Sequence, residues 1–99
     1  MLYVIRFYDI ADGLAIRQAH IDAHMAWLAE QGPAIVAAGP LRVGGPDTKP
    51  VGALWIVQAD SEAQAEAIVR TDPFSIHGLR ERIEVYAWSR GYPAQPVTI

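Results

Sequence analysis

Arg17-Gln18-Ala19-His20-Ile21-Asp22-Ala23-His24-Met25-Ala26-Trp27-Leu28 repeats with the period of an α-helix and carries two lines of side chains that differ in kind. Residues three or four apart stack along one helix face. Arg17, His20, His24, Trp27 and Gln31 therefore form a polar and aromatic line, with an apolar line of Leu14, Ile21, Met25 and Leu28 beside it. The pattern predicts a helix whose apolar line packs on a sheet while its imidazoles sit at the edge of a half-buried cleft.

Working outward, Asp12 suits the N-cap of this helix, and Gly32-Pro33 stops it near Gln31. Before it, residues 2–8 are rich in β-branched and aromatic types and read as a strand, with Tyr3, Ile5 and Phe7 on one face. After it, residues 34–41 form a short apolar run bounded by Pro and Gly, a second strand that bends at Gly39-Pro40. Loop residues fill 44–50, and residues 52–59 return as a third strand in a hairpin with the second. Ser61 and Gln64 have capping-box spacing at the start of a second helix, whose apolar side is read as Ala63, Ala67, Ile68 and Val69, up to about Thr71. Asp72-Pro73 begins a further short turn of helix, ended by Gly78, and residues 81–88 alternate as a fourth strand. The order βαββαβ predicts an α+β domain over residues 1–90. Its antiparallel four-stranded sheet carries both helices on one face, the ferredoxin-like arrangement, and residues 91–99 follow as a Pro-bearing extended tail.

The chain has 99 residues, 52% hydrophobic and 19% charged, enough for one core and too few for a second domain. Two helices cover only one face of such a sheet, and an open apolar face calls for a partner; a homodimer is expected. The formal net charge of −3 gives no basic footprint for nucleic acid or anionic membranes. There is no cysteine, which removes disulfide and thiol chemistry and agrees with a reducing cytoplasmic compartment. The N-terminus runs straight into a strand, without the basic and apolar regions of a signal peptide.

His20 and His24 at i and i+4 have a spacing that two metal ligands can share, but no Glu follows the first His and no third ligand stands at a suitable spacing, so no metal is assigned. His24 has two readings: an acid/base that gives or takes a proton near neutral pH, or a boundary histidine hydrogen-bonded to the backbone. Asp72 is a helix cap with a spare oxygen, and that oxygen can orient an imidazole. Arg17 can hold a carboxylate or phosphate, or can be a solvated helix arginine. Gly39 and Gly52 offer close backbone approach or turn geometry, while Trp27, Trp55, Phe74 and Trp88 suit a core or interface as well as a ligand platform. Asp72, Ser75 and His77 lie on one short turn and do not converge as a nucleophilic triad.

The opening Met1-Leu2-Tyr3-Val4-Ile5, the segment Ala23-His24-Met25-Ala26-Trp27-Leu28, the step Ala38-Gly39-Pro40-Leu41, and Asp72-Pro73-Phe74 followed by Gly78-Leu79 together resemble the YCII family over about residues 1–90. The resemblance implies a ferredoxin-like fold that dimerises through its sheets into an α/β barrel, with a His-Asp pair at His24 and Asp72. Candidate substrate contacts are Arg17, His20, Trp27, Gly39 and Phe74. A relative in that family dehydrochlorinates a chlorinated hydroxyhydroquinone, and muconolactone isomerases share the broader fold. His20 and the tail from Gly91 depart from the family pattern. Two functions are carried forward: a cofactor-independent enzyme of proton transfer, by elimination or isomerisation of a small metabolite, and a non-catalytic ligand-binding or accessory subunit using the same cleft.

Overall fold

Alternating side chains build β1 (Leu2–Asp9) so that Tyr3, Ile5 and Phe7 point inward and are buried, while Leu2, Val4, Arg6 and Tyr8 face the other way. The computed structural model, which describes residues 1–94, continues with α1 (Leu14–Gln31), a 3-10 turn (Gly32–Ala34), β2 (Ile35–Arg42), β3 (Pro50–Gln58), α2 (Glu62–Val69), α3 (Pro73–Ile76) and β4 (Arg80–Trp88). All pairings are antiparallel, in the order β2-β3-β1-β4. This is the expected ferredoxin-like α+β arrangement, and the element boundaries fall within two residues of those read from the sequence. Of the expected tail, residues 95–99 lie outside the described residues.

The core forms between the sheet and the helices from Ile5, Phe7, Trp55, Val57, Trp27, Ala65 and Val69. Burial of each large side chain there contributes roughly 1.5–3 kcal/mol. Phe7 and Trp55 sit across β1 and β3 with ring centroids 4.6 Å apart. Gly52 is required where β3 passes β1, because a Cβ at this position would collide with the Phe7 carbonyl oxygen. Gly78 takes φ +81°, a left-handed turn that an L side chain resists, and so leads α3 back into β4.

Three sequence expectations change. Asp12 does not cap α1; Gly13 holds that position, with no side-chain capping bond. The inward side of α2 is Ala65 and Val69 with Ile68 partly buried, whereas Ala63 and Ala67 are exposed. The two lines of α1 also exchange roles. His24 and Trp27 are buried, whereas Leu14, Ile21 and Met25 are 41, 42 and 55% exposed. The cause is the position of α1 on the sheet, for Ala38, Pro40 and Arg42 of the edge strand β2 are left uncovered and a cleft opens between them and the apolar line. The cap expected at Ser61 is present: Gln64 N–H donates to its Oγ at 3.1 Å, and the Asp60 N–H donates to Gln64 Oε1 at 2.5 Å. No helix among the described residues is long and apolar enough to cross a membrane.

Candidate active site

The cleft between α1 and β2 has a volume of about 370 Å³, and its lining combines apolar Leu14, Ile21, Met25 and Pro40 with Arg17, His24, Phe74 and Arg80. These residues come from three elements: Arg17 and His24 from α1, Phe74 from α3 and Arg80 from β4. Arg17 projects from the first turn of α1 and His24 from two turns further on. Phe74 belongs to α3, whose cap is Asp72: the Phe74 N–H donates to Asp72 Oδ1 at 3.1 Å.

The same Oδ1 lies 2.7 Å from His24 Nδ1. Asp72 is fully buried and His24 is 7% exposed, so this is a buried contact joining α1 to α3 across 48 positions of sequence. An ionised carboxylate only accepts, so the proton belongs on Nδ1, and Nε2 is the nitrogen left to exchange protons. Nε2 has no hydrogen-bond partner among the described residues and is not sealed from solvent. The imidazole is clamped flat against Phe74, centroids 4.0 Å apart and planes 16° apart, with Trp55 at 5.8 Å.

Behind this pair lies a second set of buried charges. Asp9, at the end of β1, accepts from Arg17 Nε at 2.9 Å on Oδ2 and from Arg80 Nη1 at 2.8 Å on Oδ1, so one carboxylate serves two guanidiniums. Arg17 Nη2 also donates to the Gly52 carbonyl at 3.1 Å. Arg80 Nη2 stands 3.8 Å from Asp72 Oδ2, too far for a hydrogen bond but close enough for attraction, and connects the two sets. Burial pulls the Arg80 guanidinium below its ordinary pKa; Asp9, by charge and hydrogen bond, opposes that shift, Arg17 adds to it and Asp72 opposes it. An arginine remains charged through such a shift.

Arg80 and Asp9 were not foreseen from the sequence, and the reason is geometric. Arg82, Glu84, Tyr86 and Trp88 alternate onto the open face of the sheet, and the same alternation puts Arg80 there too. A bulge where Tyr8 pairs with Arg82 and Asp9 with Arg80 resets the pattern and turns Arg80 under the helices. Its side chain is 5% exposed, with the guanidinium 4.4 Å from the Phe7 ring centroid.

Of the other sequence candidates, Arg17, Gly39 and Phe74 line the cleft. His20 does not: its ring stacks on His77 at 3.6 Å and 5°, one helical turn from His24, because it faces α3 and not β2. Trp27 is a core residue whose indole N–H donates to Thr71 Oγ1 at 3.1 Å. Ser75 Oγ donates to the Val69 carbonyl at 3.2 Å and is not aimed at His77. Among the described residues no three His, Asp or Glu side chains are grouped as metal ligands.

Comparison with known proteins adds to this geometry. The YCII-related domain matches residues 1–89. A solved structure similar to this chain is 5-chloro-2-hydroxyhydroquinone dehydrochlorinase (TftG) from Burkholderia phenoliruptrix AC1100, in complex with 2,5-dihydroxybenzoquinone. It is 30% identical, with a TM-score of 0.82, and the match covers 92% of this chain and 96% of that one. No curated protein sequence matches the chain.

Proposed function

This chain belongs to the family of YCII-related domains, and from that premise we propose that it is a small cytoplasmic enzyme in which His24, oriented by Asp72, moves protons in the elimination or isomerisation of a small metabolite. The observation that carries this reading is the buried 2.7 Å contact between His24 Nδ1 and Asp72 Oδ1, with Nε2 left free beside an open cleft. The likeness to a dehydrochlorinase at 30% identity over nearly the whole of both chains supports the elimination branch.

The chemistry balances without an electron carrier. In a dehydrochlorination, Nε2 takes a substrate proton, the electron pair left behind forms a new π bond, and chloride departs with the C–Cl pair. Substrate becomes product and HCl, and the proton passes from the imidazolium to solvent. Asp72 stabilises that imidazolium while it exists and prevents the ring from turning. In an isomerisation the same nitrogen returns the proton to another atom of the substrate.

The working unit on this reading is a homodimer closed over the open sheet face, where Leu54, Tyr86 and Trp88 remain 41, 55 and 40% exposed in one copy. Light scattering at micromolar concentration checks this, and a stable monomer removes it. The catalytic reading is tested by following chloride release and absorbance across a panel of chlorinated hydroquinones and lactones, beside thermal-shift binding of the same compounds. Turnover of at least one is expected. A panel that binds and is never turned over gives the cleft to ligand binding alone.

A further inference from the structure

Around the cleft two guanidiniums, Arg17 and Arg80, face two carboxylates, Asp9 and Asp72, but the contacts are unevenly shared. Asp9 alone answers two guanidiniums, with its two oxygens divided between Arg17 and Arg80. The other nearby carboxylate, Asp72, is engaged at 2.7 Å by His24 and by the cap of α3, and stands 3.8 Å from Arg80. Arg17 uses Nε and Nη2 on Asp9 and on the Gly52 carbonyl, yet its Nη1 has no partner among the described residues, is not sealed from solvent and belongs to a side chain that lines the cleft. Its guanidinium is also held above the Phe74 ring, 5.4 Å from the centroid, the same ring that stacks on His24. A cationic N–H fixed at both ends, next to the candidate proton carrier, is a preorganised place for a negative oxygen. Beside it on α1, Leu14, Ile21 and Met25 expose apolar surface to the same cleft.

We infer that the cleft takes a small oxyanion with an apolar body: the charged oxygen rests on Arg17, held in place by Asp9, and the body lies against the apolar line of α1. The shared chemistry is a carboxylate or an ionised acidic enol or phenol. Arg17 is the specificity-determining contact, Asp9 its positioning residue, and Arg80 the second cation that leaves the shared carboxylate outnumbered. The inference rests on reading this cleft as the substrate site, and its test uses binding alone.

The test is isothermal titration of the whole protein with matched pairs of compounds. 2,5-Dihydroxybenzoquinone, whose hydroxyls are ionised at neutral pH, is set against the neutral 2,5-dimethoxybenzoquinone, and benzoate against benzamide. In at least one pair the anion binds tighter by about tenfold or more, the worth of one charge-assisted hydrogen bond. The pair that shows it identifies the anion as enolate or carboxylate. Arg17→Gln abolishes the preference, and Arg17→Lys keeps part of it. Equal affinities within both pairs on the unaltered protein overturn the inference, with no dependence on whether a variant folds. It is overturned equally if Arg17→Gln melts normally and keeps the full preference. A protein that prefers the anion yet turns over nothing loses the proton-transfer reading and keeps this one; turnover without charge preference does the reverse.

Discussion

Two charged clusters sit at the same end of the β1–β4 pair, built from nearly the same residue types, and they lie on opposite faces of the sheet. Asp9, Arg17 and Arg80 are under the helices, with side chains 4, 12 and 5% exposed. Tyr8, Arg82 and Glu84 are on the open face: Tyr8 Oη donates to Glu84 Oε1 at 2.7 Å, Arg82 lies 4.0 Å from both Glu84 and the Tyr8 ring centroid, and the Arg82 and Glu84 side chains are 62 and 33% exposed. One step along β1 separates them. In a single copy, solvent screens each charge on the open face, and the contacts contribute little to stability. Under the helices the same pairings are what make burial of the charges tolerable, and removing a single partner leaves another charge stranded. The lesson is that residue type does not tell an enclosed cluster from a solvated one; the surroundings do.

The largest effect expected from this contrast is on turnover. His24→Asn lowers any measured kcat/KM by roughly two to four orders of magnitude while leaving the fold intact, as removal of a general acid/base does. A variant with unchanged rate would make the buried His24–Asp72 pair merely structural. Asp9→Asn should next cost about 3–5 kcal/mol in urea unfolding, since two buried guanidiniums lose their common counter-ion. A cost near zero would put the enclosed cluster on the same footing as the open one.

Asp72 separates cap from charge. Asp72→Ala loses both, whereas Asp72→Asn still accepts the Phe74 N–H. The alanine variant should therefore be less stable by about 1 kcal/mol, with turnover impaired in both. Equal stabilities would mean that the cap contributes nothing beyond the ion pair.

The smallest effect belongs to the open face. The hydrogen bond from Tyr8 holds the Glu84 carboxyl below its ordinary value. Any stability from this contact is present above pH 4.5, the ordinary carboxylate value, and is lost as pH falls through the lowered pKa. Glu84→Gln should flatten that acid-side loss and barely move the neutral melting temperature. A large destabilisation at neutral pH would place this contact inside the seam of the proposed homodimer and not at its solvated edge.

Much of this was legible in the chain. Alternation in residues 2–8 and 81–88, the helical period of 14–31 and the capping signals at Ser61 and Asp72 are local patterns, imposed by backbone geometry on any chain that buries its apolar residues. They suffice for the βαββαβ order and for the antiparallel sheet. The pairing of His24 with Asp72 was reached through a resemblance carried by short motifs, and the topology then makes it possible by bringing α1 and α3 together on one face.

What the sequence could not decide is which side of α1 is enclosed. Helical period distinguishes an apolar line from a polar one, and the ordinary preference buries the apolar line; here His24 and Trp27 go in, and Leu14, Ile21 and Met25 stay out along the cleft. That choice depends on where the helix rests across the sheet, a sum over contacts from β1, β3, α3 and the buried charge pairs that no local window contains. The bulge opposite Asp9 is of the same kind. One extra residue in β4 turns Arg80 from the solvent face to the enclosed one, and nothing in the alternation of residues 81–88 announces it. Sequence by itself determined the elements and their order; tertiary structure alone decided which charges were shut in together, because desolvation is a property of the surroundings and not of the residue.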